Sequence, residues 1–275
     1  IEILFKNILI RSLSGAVFVA LMIAAIMIPP YFFGGLFLVI TFLGLREFYS
    51  LVTKMQEVDL DKWISILGGL FLFMSVFLDI FFDVKEGYGL YVLSASVIFI
   101  LELFLKKNNP IKNISLSLMG HFYIALPLCA MALIEKGHPI FLLAFFCMIW
   151  ASDTGAYLTG MCFGKHKMFE RVSPKKTWEG LFGGFVFALL VGFIFFQYVQ
   201  SEDAALLNLW QWLGLSTVVF IFGTLGDLVE SLFKRTLNVK DSGAIMPGHG
   251  GVLDRFDSAL LAAPVASAFL FYVLR

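Results

Sequence analysis

The chain has 275 residues, 60% of them hydrophobic and 15% charged, with 32 Phe and a mean hydropathy of +0.90. Soluble domains run at roughly 45–50% apolar and about 25% charged, so a soluble enzyme, a disordered tail and a disulfide scaffold are excluded. Twenty basic and twenty acidic residues cancel, which also excludes a nucleic-acid binder built on net charge.

Apolar stretches at 12–30, 31–45, 63–82, 88–105, 115–134, 139–160, 178–199, 209–227 and 256–274 predict nine membrane-spanning helices. About 20 residues at 1.5 Å each cross a hydrocarbon core of roughly 30 Å. Unbroken runs of that length read as helices, not as alternating barrel strands. Lys6 and Arg11 precede the first run as in a signal peptide. No small-residue cleavage site separates it from the second, so it is expected to be retained. Pro29-Pro30 leaves 12–45 open between a tight helical hairpin and one kinked span. With the N-terminus in the cytoplasm, the inner segments carry 17 Lys and Arg and the outer ones 3 (Lys85, Lys136 and Arg275). That asymmetry supports both the count and the orientation. The expected fold is therefore an all-α polytopic membrane protein of about nine transmembrane helices. It would be a single membrane domain over 1–275 with a cytoplasmic N-terminus. Cys129, Cys147 and Cys162 show no disulfide frame or zinc spacing and read as packing residues.

Polar, glycine-bearing sequence concentrates after residue 150 and on the inner side, so the motif-bearing half is about 139–275. Asp79 and Glu102, near the ends of earlier spans, read as interfacial. Asp153 lies inside the sixth span, and Asp153, Tyr157 and Gly160 share a helical face at i, i+4 and i+7. An acid inside a membrane helix is a functional candidate by default, and Glu179 at the start of the seventh span is a weaker one. Ser173-Pro174 reads as N-cap and first helical position, which puts Lys175 and Lys176 in a first helical turn. Cations are unfavourable at that positive dipole end unless an anion is bound, so the pattern points to a phosphate site. The alternative is lysines snorkelling to lipid headgroups.

Asp227, Glu230, Ser231 and Lys234 fall on one face of the eighth span. Asp227 stands about 27 Å along it, near the inner edge of the hydrocarbon. It is either a cation ligand in a polar cavity or an interfacial acid paired with Lys234. Pro247-Gly248-His249-Gly250-Gly251 must be a tight loop, whose main-chain N–H groups are able to approach phosphate oxygens. Asp254 opens the last span with Asp257 one turn on. Both suit either capping or a magnesium site, since Mg²⁺ takes one or two carboxylates plus substrate phosphates. His249 is open between general base, phosphate donor and loop packing. His121, His138 and His166 read as structural or solvated.

The run from Ser231 through Lys234-Arg235, Lys240-Asp241, Pro247, His249-Gly250-Gly251 and Asp254-Arg255 to Asp257 resembles the signature of the phosphatidate cytidylyltransferases, also called CDP-diacylglycerol synthases. Asp153-Thr154-Gly155-Ala156-Tyr157 and the stretch Ser173 to Gly180 resemble that family's other motifs. Met246 departs from the branched aliphatic or Phe usual there, an apolar exchange of similar size. The resemblance implies condensation of CTP with phosphatidic acid to CDP-diacylglycerol and pyrophosphate, with Mg²⁺ and room for a second cation. It implies a multi-pass protein of the cell (inner) membrane with its site facing the cytoplasm, and it suggests a homodimer. On this reading Asp227, Lys234 and Asp254 are catalytic, and Asp227, Asp254 and Asp257 are metal ligands. Lys175, Lys176, Ser231, Arg235, Lys240, His249, Arg255, Asp153 and Tyr157 bind substrate. A CTP-dependent lipid kinase, which attacks the γ-phosphorus, and an anion transporter with the same acids as ion-coupling sites are the alternatives.

Overall fold

The structure is a computed structural model that describes residues 2–200, 206–243 and 250–275, with their side chains except those of 2–12 and 200. It is all-α apart from one two-stranded hairpin, and the chain is a polytopic membrane protein. Among the described residues eight helices are long and apolar enough to cross a membrane, and a shorter apolar stretch, Leu13–Met27, precedes them. Two compact units form, one from the residues up to Lys136 with Thr236–Phe256, the other from Gly137–Arg235 and Asp257–Arg275.

In the first unit, α1 (Glu2–Met27) and α2 (Pro30–Val52) are separate helices. Pro29 is extended (φ −48°, ψ 151°) and Pro30 takes the first helical position, where its missing N–H costs nothing. Residues 12–45 thus belong to two helices parted at Pro29. α2 continues past the predicted residue 45 to Val52 because hydropathy marks the lipid-facing length, whereas helical hydrogen bonding carries on through Arg46 and Glu47. α3 (Lys62–Phe82) opens on Asp61, whose carboxylate accepts from Ile64 N at 3.0 Å. α4 (Gly87–Phe104) follows after a short turn.

α5 (Pro110–Gly120), a π-helical turn (His121–Ala125) and α6 (Leu126–Gly137) together form the fifth span. At the π-turn the His121 ring lies against Gly68, where a β-carbon would come within 2.6 Å of it, and its Nε2 meets Ser65 O at 2.7 Å. His121 is structural, as expected. Phe33, Phe37, Phe73 and Phe77 stack in the apolar interior.

The segments 53–61 and 105–113 are stitched together by side chains. Asn113 Nδ2 donates to Glu102 Oε2 at 2.9 Å, and Asn113 Oδ1 accepts from Asp59 N at 3.0 Å. Lys107 Nζ stands 3.7 Å from Glu102 Oε1 and also donates to Asp59 O. Glu102, near the end of α4, is buried, and these partners satisfy its carboxylate.

In the second unit, α7 (Pro139–Phe163) starts at His138, whose Nδ1 accepts from Ile140 N at 3.3 Å. Strands β1 (Lys167–Phe169) and β2 (Ser173–Thr177) pair antiparallel, and β2 leads directly into α8 (Trp178–Gln200). α7 and α8 pack along each other through small residues. A β-carbon on Gly180 would come 2.8 Å from Ala156 O, and one on Gly184 2.8 Å from Ser152 O. α9 (Leu209–Thr236) meets α10 (Leu253–Val273) at Gly226, where a β-carbon would lie 2.5 Å from Asp257 O.

Replacing Asn113 with Ala removes one partner of the buried Glu102 and the acceptor of the Asp59 N–H. It is expected to lower stability in detergent by about 1–3 kcal/mol, read as an earlier midpoint of denaturation with the wild type alongside.

Candidate active site

A cavity of about 410 Å³ opens where the C-terminal half of α7, the β2 strand, the first turn of α8 and the latter part of α9 converge. Asp153, Tyr157 and Gly160 line it from α7, so the face inferred from their spacing is the one presented. Lys175 and Lys176 enter from β2 and Asp227 from α9. Met161, Met168, Leu181 and Phe220 supply an apolar side. Two lysines, two carboxylates and an apolar flank thus share one opening, which suits a charged headgroup with an apolar tail.

Lys175 and Lys176 do not sit in a helical turn. Ser173–Thr177 is a strand held by β1, with Lys167 opposite Thr177 and Phe169 opposite Ser173. The helix begins later because Thr177 is the better cap: its Oγ1 accepts from Gly180 N at 3.2 Å. The dipole conflict inferred from Ser173-Pro174 therefore does not arise, and the lysines reach the cavity from a strand. Glu179 fastens the preceding turn, accepting from Lys165 N at 3.1 Å and pairing with His166 Nδ1 at 2.6 Å. Both side chains serve the hairpin.

The Lys176 ammonium lies 2.6 Å from Asp227 Oδ2, and the Asp227 side chain is 29% exposed. A cation therefore already occupies one face of this carboxylate while the group remains open to a solute. Ser231 Oγ, one turn along α9, stands 3.3 Å from Asp227 Oδ1. Next along the same helix, Lys234 Nζ pairs with the buried Glu230 at 3.0 Å. Asp257 lies within electrostatic reach of Glu230, Asp227 and Lys234. The second unit thus gathers Asp153, Tyr157, Lys175, Lys176 and Asp227 in the cavity, with Ser231, Lys234 and Asp257 along α9 and α10. Arg235 points back to the hairpin, its Nε 3.4 Å from Val172 O. Among the described residues no three His, Cys, Asp or Glu side chains form a ready-made metal cage.

The first unit holds Lys240, Asp254 and Arg255, with Lys240 and Arg255 exposed. Asp254 Oδ2 accepts from Ser242 N (2.9 Å), Ser242 Oγ (2.9 Å) and Gly251 N (2.8 Å), so this oxygen ties the two ends of the glycine loop. His249 lies outside the described residues, as do Pro247 and Gly248. Two acids escaped the sequence reading. Glu230 shares the α9 face of Asp227, and its burial against Lys234 arises only in the fold. Glu47, just past an apolar run, offered the same signal as Asp153 and is buried against the loop.

A family model described as the cytidylyltransferase family matches residues 9–273. The phosphatidate cytidylyltransferase of Haemophilus influenzae is 33% identical over 285 residues, covering 96% of this chain and 99% of that protein. The phosphatidate cytidylyltransferases of Staphylococcus haemolyticus and Staphylococcus aureus are each 46% identical over 130 residues, 47% of this chain and 48% of theirs. With its membrane helices, its cavity of lysines and carboxylates and a match through nearly its whole length, the chain belongs to the cytidylyltransferase family and is a membrane-bound nucleotidyltransferase.

Proposed function

We propose that the protein condenses CTP with phosphatidic acid to give CDP-diacylglycerol and pyrophosphate. The observation that carries this reading is the convergence of Lys175, Lys176 and Asp227 in a cavity that also has an apolar side. The names of the relatives agree with it. One substrate is a lipid and the other a water-soluble polyanion, so the reaction needs charge at the end of the membrane spans. The cavity is formed by the end of α7, the start of α8 and the hairpin between them. The excess of Lys and Arg in the same connecting segments supports a cytoplasmic face of the cell (inner) membrane.

An oxygen of the phosphatidate phosphate attacks the α-phosphorus of CTP in line. The new O–P bond forms as the bond to the β-phosphate oxygen breaks, and pyrophosphate leaves with that electron pair. The attacking phosphate is already anionic near neutral pH, so no strong general base is needed and His249 is not required as one. Lys175 and Lys176 neutralise phosphate charge, Lys234 and Arg235 add basic charge further along α9, and Asp153 and Tyr157 orient the bound substrate. Transfer of this kind depends mainly on positioning and charge neutralisation.

Mg²⁺ fits the donor set. Asp227 already accepts a cation at 2.6 Å, Asp257 stands within electrostatic reach, and the ion needs only one or two carboxylates once phosphates supply the rest. Bound there, Mg²⁺ would offset charge developing on the phosphates. Room for a second cation is part of the same proposal, as is a homodimer. Lys240, His249, Asp254 and Arg255 enter it through the signature sequence alone.

Purified protein given phosphatidic acid, Mg²⁺ and CTP labelled separately at the α and γ phosphates is expected to place the α label in lipid and the γ label in pyrophosphate. A γ label in lipid would instead make the protein a kinase. Chelation with EDTA is expected to stop transfer and added Mg²⁺ to restore it. Asp227→Asn is expected to lower kcat by about 10²–10³-fold in folded protein, and full Mg²⁺-dependent turnover in that variant would remove Asp227 from the metal site.

A further inference from the structure

The start of α10 is capped by a residue some two hundred positions away. Val252, which precedes the helix, has no side-chain acceptor, so the first N–H groups of α10 need one from elsewhere. Glu47 of α2 supplies it. Its Oε1 accepts from Val252 N at 2.9 Å, and its Oε2 accepts from Leu253 N at 3.0 Å and Ser242 Oγ at 3.0 Å. The carboxylate is only 6% exposed, and these three donors come from both ends of the glycine loop. Gly243 and Gly251 are the residues packed against it. A β-carbon on Gly243 would come 2.5 Å from Glu47 Oε1, and Gly251 faces Oε2 just as closely. Residues 242–243 and 251–253 are therefore packed around a buried anion, and the Ser242 hydroxyl is shared between that anion and Asp254 Oδ2.

We infer that Glu47 is a positioning residue for the reaction: its carboxylate fixes the start of α10 and both ends of the glycine loop, and so sets where Asp254 and Arg255 are held. The inference rests on the proposed function insofar as it takes Asp254 and Arg255 to act on the substrates. An anion is required, not merely a polar group of that size. Glutamine would turn an N–H toward backbone N–H groups that have no other acceptor there, and a buried donor facing donors is costly.

The test compares the full-length wild type with E47Q in detergent micelles, reading steady-state kinetics with CTP and phosphatidic acid and amide hydrogen exchange. E47Q is expected to lower kcat and kcat/KM together by about 10–100-fold. Exchange across 250–255 is expected to accelerate while α3 keeps wild-type protection. Unchanged kcat and unchanged exchange at 250–255 would overturn the inference. So would a loss of kcat matched by loss of protection in α3, which marks general destabilisation. If E47Q does not fold, S242A replaces it, because it removes only the shared hydroxyl. A kcat reduced by about threefold or more with faster loop exchange supports the clamp, and wild-type values for both refute it. A wild type that makes no CDP-diacylglycerol defeats the proposed function. The exchange comparison then still decides whether Glu47 holds the loop.

Discussion

An ion in an apolar chain has to be brought to the end of a span or supplied with partners, and this requirement organises the polar chemistry of the protein. A charged side chain at the centre of a membrane helix costs roughly 2.5–3.5 kcal/mol on insertion scales, and less toward the edge. Lys176 and Asp227, Lys234 and Glu230, and Lys107 and Glu102 meet that cost by pairing. Glu47 meets it with three uncharged donors instead. Charges held this way are oriented before any ligand arrives. An incoming polyanion exchanges partners with them and does not have to order them.

The same requirement explains why helices overrun the apolar stretches that reveal them. α9 continues nine residues beyond residue 227 to Thr236, which keeps Glu230, Ser231 and Lys234 in register on the face of Asp227. α2 extends past residue 45 to Val52 and thereby carries Glu47 on a rigid element. Functional groups on helix extensions are more narrowly placed than groups on a loop. The β1–β2 hairpin does for Lys175 and Lys176 what a loop could not, because its pairing fixes the direction from which they enter.

Much of this was legible in the sequence, for identifiable reasons. Spans are written as long apolar runs, so the helices fall close to their predicted places, and two prolines sufficed to make 28–30 the weak point. The face bearing Asp153, Tyr157 and Gly160 follows from helical periodicity alone and does line the cavity. The strand at Ser173–Thr177 was hidden because Ser-Pro resembles a helix start, while the Thr177 hydrogen bond that sets the true start depends on backbone geometry. Glu47 was hidden for a deeper reason. Its donors lie 195 to 206 residues away, and no local pattern encodes a partnership that only the fold creates.

The close seam between α7 and α8 has a consequence for how much change the protein tolerates. Gly160, Gly164 and Gly180 surround the Thr177 hydroxyl, and Gly180 and Gly184 leave no room for even a methyl group against the α7 backbone. Beside them, Phe163, Phe182 and Ile194 face outward, where any apolar side chain of similar bulk is as soluble in lipid as the one it replaces. Substitution in this region is thus sharply divided by helix face. One side of α8 is nearly free to drift, and the other is held to the smallest residue because a single added carbon would displace the strand that carries both lysines.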